Sequence, residues 1–223
     1  MKKFLDYIKA NKYCLLLIYW PIHFITYGLF GKIFAEQDVW LLYSPLDDKI
    51  PFCEWFIFPY VFWYFWIAFM LIYSLYHGKR EFIRTDMLLT LCMAIPMIFC
   101  IFVPNGIDIS MRPDFNTLGR ENIATKLVQL IYAADSPPRN CMPSMHVTVA
   151  WALMFSTFQL RPFAKRYFIK ALSFVMCMLI SLATVFIKQH SILDVFAGVG
   201  VGIAVFFMVF IAEKIYDKKK AVV

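Results

Sequence analysis

Charged side chains are scarce in this chain of 223 residues. Asp, Glu, Lys and Arg make up 17% of it, whereas hydrophobic residues make up 61% and aromatic residues 19%. An ordinary soluble domain is about 25% charged and about 45–50% apolar. The apolar excess is too large for one small soluble core. Composition therefore excludes a soluble enzyme, a disordered chain and a disulfide-stapled secreted domain, and it predicts a membrane protein.

Several other signals are absent. The six cysteines form no metal-binding pattern, and nothing in the sequence brings Cys53 close to Cys141, although both are predicted on the oxidising outer side. The chain has no internal repeat, no low-complexity run and no nucleotide-binding fingerprint. Its net charge of +7 does not indicate nucleic acid binding, because the basic residues form short clusters between long apolar runs.

Six apolar segments are long enough to cross a bilayer, which takes about 20 residues. They run from about Tyr13 to Phe30, Trp55 to Tyr76, Met87 to Val103, Ser144 to Leu160, Ala171 to Ile187 and Ile192 to Ala212. The first is interpreted as a retained span, since no small-residue cleavage site follows it. The prediction is one all-α membrane domain over residues 1–223, a bundle of six transmembrane helices.

The distribution of basic residues predicts the orientation of this bundle. Fifteen of the 22 basic residues fall at the two termini and in the loops after the second and fourth spans. They are Lys2, Lys3, Lys9, Lys12, Lys79, Arg80, Arg84, Arg161, Lys165, Arg166, Lys170, Lys214, Lys218, Lys219 and Lys220. The positive-inside rule then places both termini in the cytoplasm. The loop with Glu36, Asp38, Asp47 and Asp48 is predicted outside the cell membrane.

The longest polar stretch, from Pro104 to Pro143, is also predicted outside. Its middle, from about Leu118 to Tyr132, has apolar residues at helix spacing and polar residues elsewhere on the wheel. The apolar set comprises Ile123, Leu127, Leu130 and Ile131. This pattern favours a short amphipathic helix between spans three and four that lies on the membrane surface.

Two histidines lie near the outer ends of the spans. Asp194 follows His190 by four residues, so on a helix its carboxylate can hold one ring nitrogen and leave the other free to act as a nucleophile or base. Pro143 and Ser144 favour a helix start, and the free N–H groups of such a start can bind an anion close to His146. His23 and His77 are interpreted as interfacial polar residues.

Cations on the same side complete a set suited to phosphoryl transfer. Arg112, Arg139 and Lys188 can balance the charge of a phosphate. Together with Ser144, these three residues are the predicted phosphate-binding residues, and His190, His146 and Asp194 are the predicted catalytic residues. No metal or other cofactor is predicted.

These residues resemble a known family. The sequence PSMH at 143–146, followed by HSILD at 190–194 and preceded by Arg112-Pro113, is similar to the motifs of the type 2 phosphatidic acid phosphatase superfamily. The resemblance implies that His190 attacks phosphorus to form a phosphohistidine, that Asp194 holds its ring, and that His146 protonates the leaving oxygen. Water or another alcohol then cleaves the phosphoenzyme, with no metal required.

The chain also departs from the family pattern. Asn105 stands where the first motif has a lysine, and Thr184 stands where the third motif has an arginine, six positions before His190. Lys188 is a candidate replacement for the arginine. Head-group transferases in a related branch keep the two histidines and the aspartate without the full basic set, so transfer is an alternative to hydrolysis.

The predicted function is hydrolysis of a lipid phosphate at the outer leaflet. Phosphatidate, phosphatidylglycerophosphate and a polyprenyl pyrophosphate fit, with the bilayer as the setting and no nucleic acid or obligate protein partner. A transporter is disfavoured because it would carry ionisable residues near the bilayer midplane, where the predicted spans place none. A bis-histidine haem protein would need neither Asp194 nor the Pro143–Ser144 helix start, and an absorption spectrum separates it.

Overall fold

The computed structural model describes residues 10–33 and 38–222. Lys2, Lys3, Lys9 and Glu36 lie outside these ranges. The described chain forms seven α-helices: α1 Tyr19–Ile33, α2 Ile57–Tyr76, α3 Lys79–Phe102, α4 Ile123–Ala134, α5 Met145–Gln159, α6 Tyr167–Phe186 and α7 Ile192–Val222. Short 3-10 helices occupy Lys12–Ile18, Glu54–Phe56, Ile109–Met111 and Arg161–Phe163. The chain is therefore helical, as predicted.

Four of the helical segments are long and apolar enough to cross a membrane. They are Glu54–Tyr76, Lys79–Phe102, Tyr167–Phe186 and Ile192–Ala221. The helices that correspond to the first and fourth predicted spans, α1 and α5, have 15 residues each, or about 22 Å at 1.5 Å per residue. These four helices indicate a multi-pass membrane protein. The count of six spans stays a prediction.

Helix α5 is short and lies at the centre of the bundle. It packs against α3, α6 and α7, and Val147, Val149, Ala150 and Leu153 are completely buried. It ends at Gln159, just before Arg161-Pro162 opens the following 3-10 helix. Protein surrounds most of α5, so its length is set by its neighbours more than by the thickness of a bilayer.

Helices α3 and α7 continue furthest beyond the predicted spans. Helix α3 begins at Lys79, eight residues before Met87, and α7 runs ten residues past Ala212. The extra turns are charged and pair with one another: Arg80 contacts Glu213 at 2.8 Å and Asp217 at 2.6 Å. An apolar run predicts only the part of a helix that crosses the membrane. The helix itself continues where its charged side chains find partners, as they do here.

Helix α3 buries an ionisable side chain just before the predicted span. Asp86, two turns from the start of this helix, is 2% exposed and accepts a hydrogen bond of 3.0 Å from the indole nitrogen of Trp20. The predicted third span began one residue later, at Met87, because the apolar run starts there.

The helix predicted between the third and fourth spans is present as α4, but it starts later than Leu118. Asn122 forms a capping box with Thr125, which fixes the helix start at Ile123. The buried face is formed by Ala124, Val128 and Tyr132, whereas Ile123 and Leu130 are about two-thirds exposed. Contact of that exposed face with the membrane surface stays a prediction.

A two-stranded parallel pair joins the loop after α1 to the Pro104–Pro143 segment. Trp40–Leu41 (β1) pairs with Asn105–Gly106 (β2), and Gly106 also forms an antiparallel bridge with Arg139. The loop after α1 and both ends of the Pro104–Pro143 segment therefore meet at one place. Cys53 and Cys141 are free thiols.

Candidate active site

His190 lies in the tight connection between α6 and α7. The backbone N–H groups of Gln189 and His190 both donate to the carbonyl oxygen of Thr184, at 2.9 and 3.1 Å. Lys188 adopts a positive φ of 52°, so the chain reverses within a few residues before α7 begins. The backbone of His190 is thereby fixed relative to the end of α6.

The predicted contact between His190 and Asp194 is present. The Nδ1 atom of His190 lies 3.1 Å from Oδ2 of Asp194, a carboxylate that is completely buried and also accepts from the N–H of Ser191. This contact orients the imidazole and leaves its Nε2 atom available for chemistry.

Ser144 connects the start of α5 to this pair. It occupies the N-cap position, but its hydroxyl makes no capping hydrogen bond. The Oγ atom lies instead 3.2 Å from Nε2 of His190, and its N–H donates to the carbonyl oxygen of Asp194 at 3.3 Å. The predicted helix start at Ser144 is therefore confirmed, and the hydroxyl finds its partner in the neighbouring element.

His146, in the first turn of α5, is held between aromatic rings. Its ring centroid lies 4.0 Å from that of Tyr60 and 4.3 Å from that of Trp63. Its Nε2 atom is buried and has no hydrogen-bond partner among the described residues. His146 and His190 line one cavity of about 150 Å³.

Arg112 is positioned by an acid and an amide. Its Nη2 atom donates to the carboxylate of Asp135 at 3.0 Å and to Oε1 of Gln189 at 2.5 Å, and its guanidinium lies 4.2 Å from the ring centroid of Tyr132. Asp135, Gln189 and Arg139 line the cavity. Burial raises the pKa of Asp135 above its ordinary value, although the charge of Arg112 opposes this shift.

Lys188 makes its contacts elsewhere. Its ammonium group donates to the carbonyl oxygens of Asp47, at 2.7 Å, and Ile50, at 2.5 Å. Burial lowers the pKa of Lys188, and the carboxylates of Asp47 and Asp48 oppose this shift. These contacts do not support the direct phosphate contact predicted for this residue.

A sequence model of the PAP2 superfamily matches residues 85–215, which is more than half of the chain and includes Arg112, His146, His190 and Asp194. The chain belongs to the PAP2 superfamily. No curated protein and no solved structure matches it.

At the two positions where a basic residue of the PAP2 superfamily was expected, this chain has buried polar residues. Asn105 is completely buried, accepts from the N–H groups of Cys141 and Met142, and donates to the carbonyl oxygens of Val103 and Met142. Thr184 is also buried, and its hydroxyl donates to a carbonyl oxygen within α6. Both side chains form hydrogen bonds with backbone groups. Among the described residues, Arg112 and Arg139 are then the cations beside the cavity.

One group of possible metal ligands lies within this PAP2 site. Single ligand atoms of Cys141, His190 and Asp194 lie within 4.8 Å of one another. Burial, with the nearby carboxylates of Asp194 and Asp135, raises the pKa of the Cys141 thiol, so the thiolate that a metal needs is disfavoured. The direct hydrogen bond between His190 and Asp194 fits a histidine–carboxylate pair better than a cation site.

Sequence reasoning missed several residues of the PAP2 cavity. His23 was interpreted as interfacial, yet it is 3% exposed, lines the cavity and contacts the hydroxyl of Tyr19 at 2.9 Å. Asp135 lies four residues before Arg139 in a loop of turn formers. This proximity to a predicted phosphate-binding residue was the one signal in the sequence that Asp135 belongs to the site. No local pattern identifies His23, because its role depends on where α1 packs.

Proposed function

We propose that this protein is a membrane enzyme that removes the terminal phosphate of a lipid phosphate through a phosphohistidine on His190. The observation that carries the proposal is the shared cavity of His190 and His146, with Arg112 and Arg139 beside it. Membership of the PAP2 superfamily supports phosphoryl transfer on a lipid-like substrate.

The proposed roles follow from which ring nitrogen of each histidine is available for chemistry. Nε2 of His190 attacks phosphorus while Asp194 holds Nδ1, and the bond from phosphorus to the lipid oxygen breaks. His146, in its protonated form, gives its proton to the departing oxygen. Water then attacks the phosphohistidine, the bond from phosphorus to Nε2 breaks, and His146 accepts the proton of that water.

In the proposed mechanism, the arginines stabilise the charge of the phosphate and Ser144, at the start of α5, positions His190. Arg112 and Arg139 offset the charge that collects on the phosphate oxygens, and the hydroxyl of Ser144 holds Nε2 of His190 in place until phosphate arrives. Lys188 remains a proposed contributor only through the loop that it contacts, since its ammonium donates to carbonyl oxygens there.

The walls of the cavity support a lipid substrate within the bilayer. Phe24, Tyr27, Trp63, Tyr64 and Met93, from α1, α2 and α3, give it an apolar and aromatic lining. The acyl chains would enter sideways between these helices, and the head group would meet the two histidines.

The proposed site faces outward. Asp194 and Glu213 are 19 positions apart on α7, about 28 Å along its axis, which is close to the thickness of a hydrocarbon core. The ion pairs of Arg80 with Glu213 and Asp217 therefore lie at the opposite end of the bundle from the site. Basic residues favour the cytoplasmic side, so the site is assigned to the extracytoplasmic side, with both termini inside.

Transfer of the phosphoryl-bearing head group to an acceptor alcohol is the second candidate. The uncharged Asn105 and Thr184, where the family carries basic residues, favour it, because related head-group transferases also lack the full basic set. The two reactions differ in whether water or a lipid hydroxyl attacks the phosphohistidine.

The test is a panel of lipid phosphates with the purified protein, wild type against His190→Ala. Phosphate release from phosphatidate, phosphatidylglycerophosphate or a polyprenyl pyrophosphate is expected to fall by about 10³-fold or more in this variant. His77→Ala is the matched control, because His77 is exposed and its Nδ1 atom contacts a carbonyl oxygen within α2. Equal activity of His190→Ala and wild type would refute the mechanism, and transfer without phosphate release would favour the second candidate.

A further inference from the structure

Asp47, in the loop between α1 and α2, is one of the few acids that is almost completely buried. It is 2% exposed, whereas its neighbour Asp48 is exposed and contacts the hydroxyl of Tyr43. The loop itself has little regular structure, so the burial of Asp47 must come from what it contacts.

The carboxylate of Asp47 contacts the residues that follow His190. Its Oδ2 atom accepts from the hydroxyl of Ser191 at 2.7 Å, and its Oδ1 atom accepts from the N–H of Ile192 at 2.8 Å. Ile192 is the first residue of α7, where backbone N–H groups have no partner within the helix. A residue 145 positions away along the chain thus caps the helix that carries Asp194.

The backbone of Asp47 contacts the residue before this pair. Its carbonyl oxygen accepts from the ammonium group of Lys188 at 2.7 Å. Asp47 therefore makes three hydrogen bonds to the residues around His190, one with Lys188 before it and two with Ser191 and Ile192 after it. The turn of Asp47 is itself fixed, since its carboxylate and its N–H each bond to the backbone of Ser44.

We infer that Asp47 is a positioning residue, which fixes the imidazole of His190 in its productive orientation by holding Ser191 and Ile192. This inference rests on the proposed role of His190 as the nucleophile. Asp47 lies outside the motifs that carry the family resemblance, and it acts through backbone and hydroxyl groups without contact to the substrate. A displacement of about 1 Å at a reacting group can cost about 10²-fold in rate.

The first measurement is single-turnover formation of the phosphoenzyme in Asp47→Ala, with Asp48→Ala as the matched control. Loss of positioning lowers the rate constant by about 10- to 100-fold, with KM within about twofold and with the amplitude of phosphoenzyme retained. A role in folding alone would lower the amplitude and leave the rate constant of the remaining sites unchanged, which would overturn the inference. Asp48→Ala is expected to match wild type in both quantities.

A double-mutant cycle tests the route of the effect. Ser191→Ala removes the hydroxyl that donates to Asp47 but keeps the hydrogen bond from the N–H of Ile192. Its loss of rate is therefore expected to be smaller than that of Asp47→Ala. The double variant is expected to be no slower than Asp47→Ala, because both substitutions break the same contact. Fully additive losses would show that Asp47 does not act through Ser191. Ser191→Ala also carries the test if Asp47→Ala does not fold.

A second measurement does not depend on activity. Carbethoxylation of His190 by diethyl pyrocarbonate, located by mass spectrometry, is expected to be slow in wild type because the side chain is 11% exposed. It is expected to be severalfold faster in Asp47→Ala and unchanged in Asp48→Ala. Faster labelling of Asp47→Ala than of wild type, in preparations whose wild type releases no phosphate, would support the positioning role and count against the proposed function. Unchanged labelling with normal catalysis would overturn the positioning role alone.

Discussion

Arg112 and Asp135 form an ion pair beside the two histidines. The guanidinium donates to the backbone carbonyl oxygen of Asp135 at 2.9 Å and to its carboxylate at 3.0 Å, and the Arg112 side chain is 5% exposed. The cation proposed to bind phosphate thus already has a carboxylate partner. In the proposed mechanism, a substrate phosphate would share Arg112 with this acid.

Substitution of Asp135 by Asn is expected to strengthen phosphate binding. The amide oxygen can still accept from Arg112, but the negative charge that repels a phosphate dianion is removed. The KM for a lipid phosphomonoester is expected to fall by about threefold to tenfold, which corresponds to about 1 kcal/mol. Steady-state kinetics with phosphatidate measure this, and Asp114→Asn, an exposed acid of the same segment, is the control. A higher KM would show that Asp135 itself holds the substrate.

The pH dependence of stability provides a separate test of Asp135. Because burial raises its pKa above the ordinary value of 3.8, the folded protein binds this proton more tightly than the unfolded chain does. Its contribution to stability is full below about pH 3.8 and is lost as pH rises through the folded pKa. The unfolding midpoint of wild type minus that of Asp135→Asn is therefore expected to decrease between about pH 4 and 7. An increase would mean that Arg112 outweighs burial.

Local spacing predicted the parts of the site that lie within one helical turn. The His190–Asp194 contact follows from a separation of four residues. The position of His146 in the first turn of α5 follows from a helix start at Ser144. Asp47 was not predictable, because its contacts with Ser191 and Ile192 depend on how a loop folds across the bundle. The same holds for His23, whose place in the cavity depends on the packing of α1.

Lys188 shows how little proximity along the chain says about the direction of a side chain, and its role in phosphate binding stays a prediction. It lies two residues before His190, so it was a reasonable replacement for a missing arginine. The left-handed backbone at this position accompanies a side chain that donates to the loop at Asp47 and Ile50. Sequence distance alone gives no direction for a side chain in a tight turn.

Lys188→Ala is expected to lower kcat by about tenfold while KM stays within about twofold. The substitution removes two hydrogen bonds that hold the loop of Asp47 and Ile50 against the His190 segment, and in the proposed mechanism it removes no contact with phosphate. Steady-state kinetics with a lipid phosphate give both constants. Lys49→Ala, on the exposed surface of the same loop, is expected to behave as wild type. A selective rise in KM would instead support direct phosphate binding by Lys188.

Restoring the family lysine by Asn105→Lys is expected to destabilise the protein and not to activate it. Asn105 accepts from the N–H groups of Cys141 and Met142 and donates to the carbonyl oxygens of Val103 and Met142. Lysine has no acceptor, and each N–H left without a partner costs about 1–3 kcal/mol.

The unfolding midpoint and the monodisperse fraction in detergent measure this loss. Both are expected to drop in Asn105→Lys and to stay at wild-type values in Asn116→Lys, a substitution at an exposed position. A stable Asn105→Lys protein with increased phosphate release would show that this position accommodates a cation.

Close packing of α7 on α5 predicts a sharp difference between two neighbouring glycines. A Cβ atom at Gly198 would lie 2.8 Å from Cβ of Val147 and 3.1 Å from the carbonyl oxygen of Ser144, whereas one at Gly200 would meet nothing within 4 Å. Small residues allow helices to approach in this way. Overpacking at such a contact costs about 1–3 kcal/mol, and here it would push Ser144 and His146 away from His190.

Gly198→Ala is therefore expected to lower the unfolding midpoint by several degrees and kcat/KM by about tenfold. Gly200→Ala removes a flexible residue from the same helix at an open position, so it is expected to keep full activity and to gain as much as about 1 kcal/mol in stability. Thermal unfolding and phosphate release measured on both variants decide the matter. Equal behaviour of the two alanine variants would mean that the distance between α5 and α7 does not control the geometry of the two histidines.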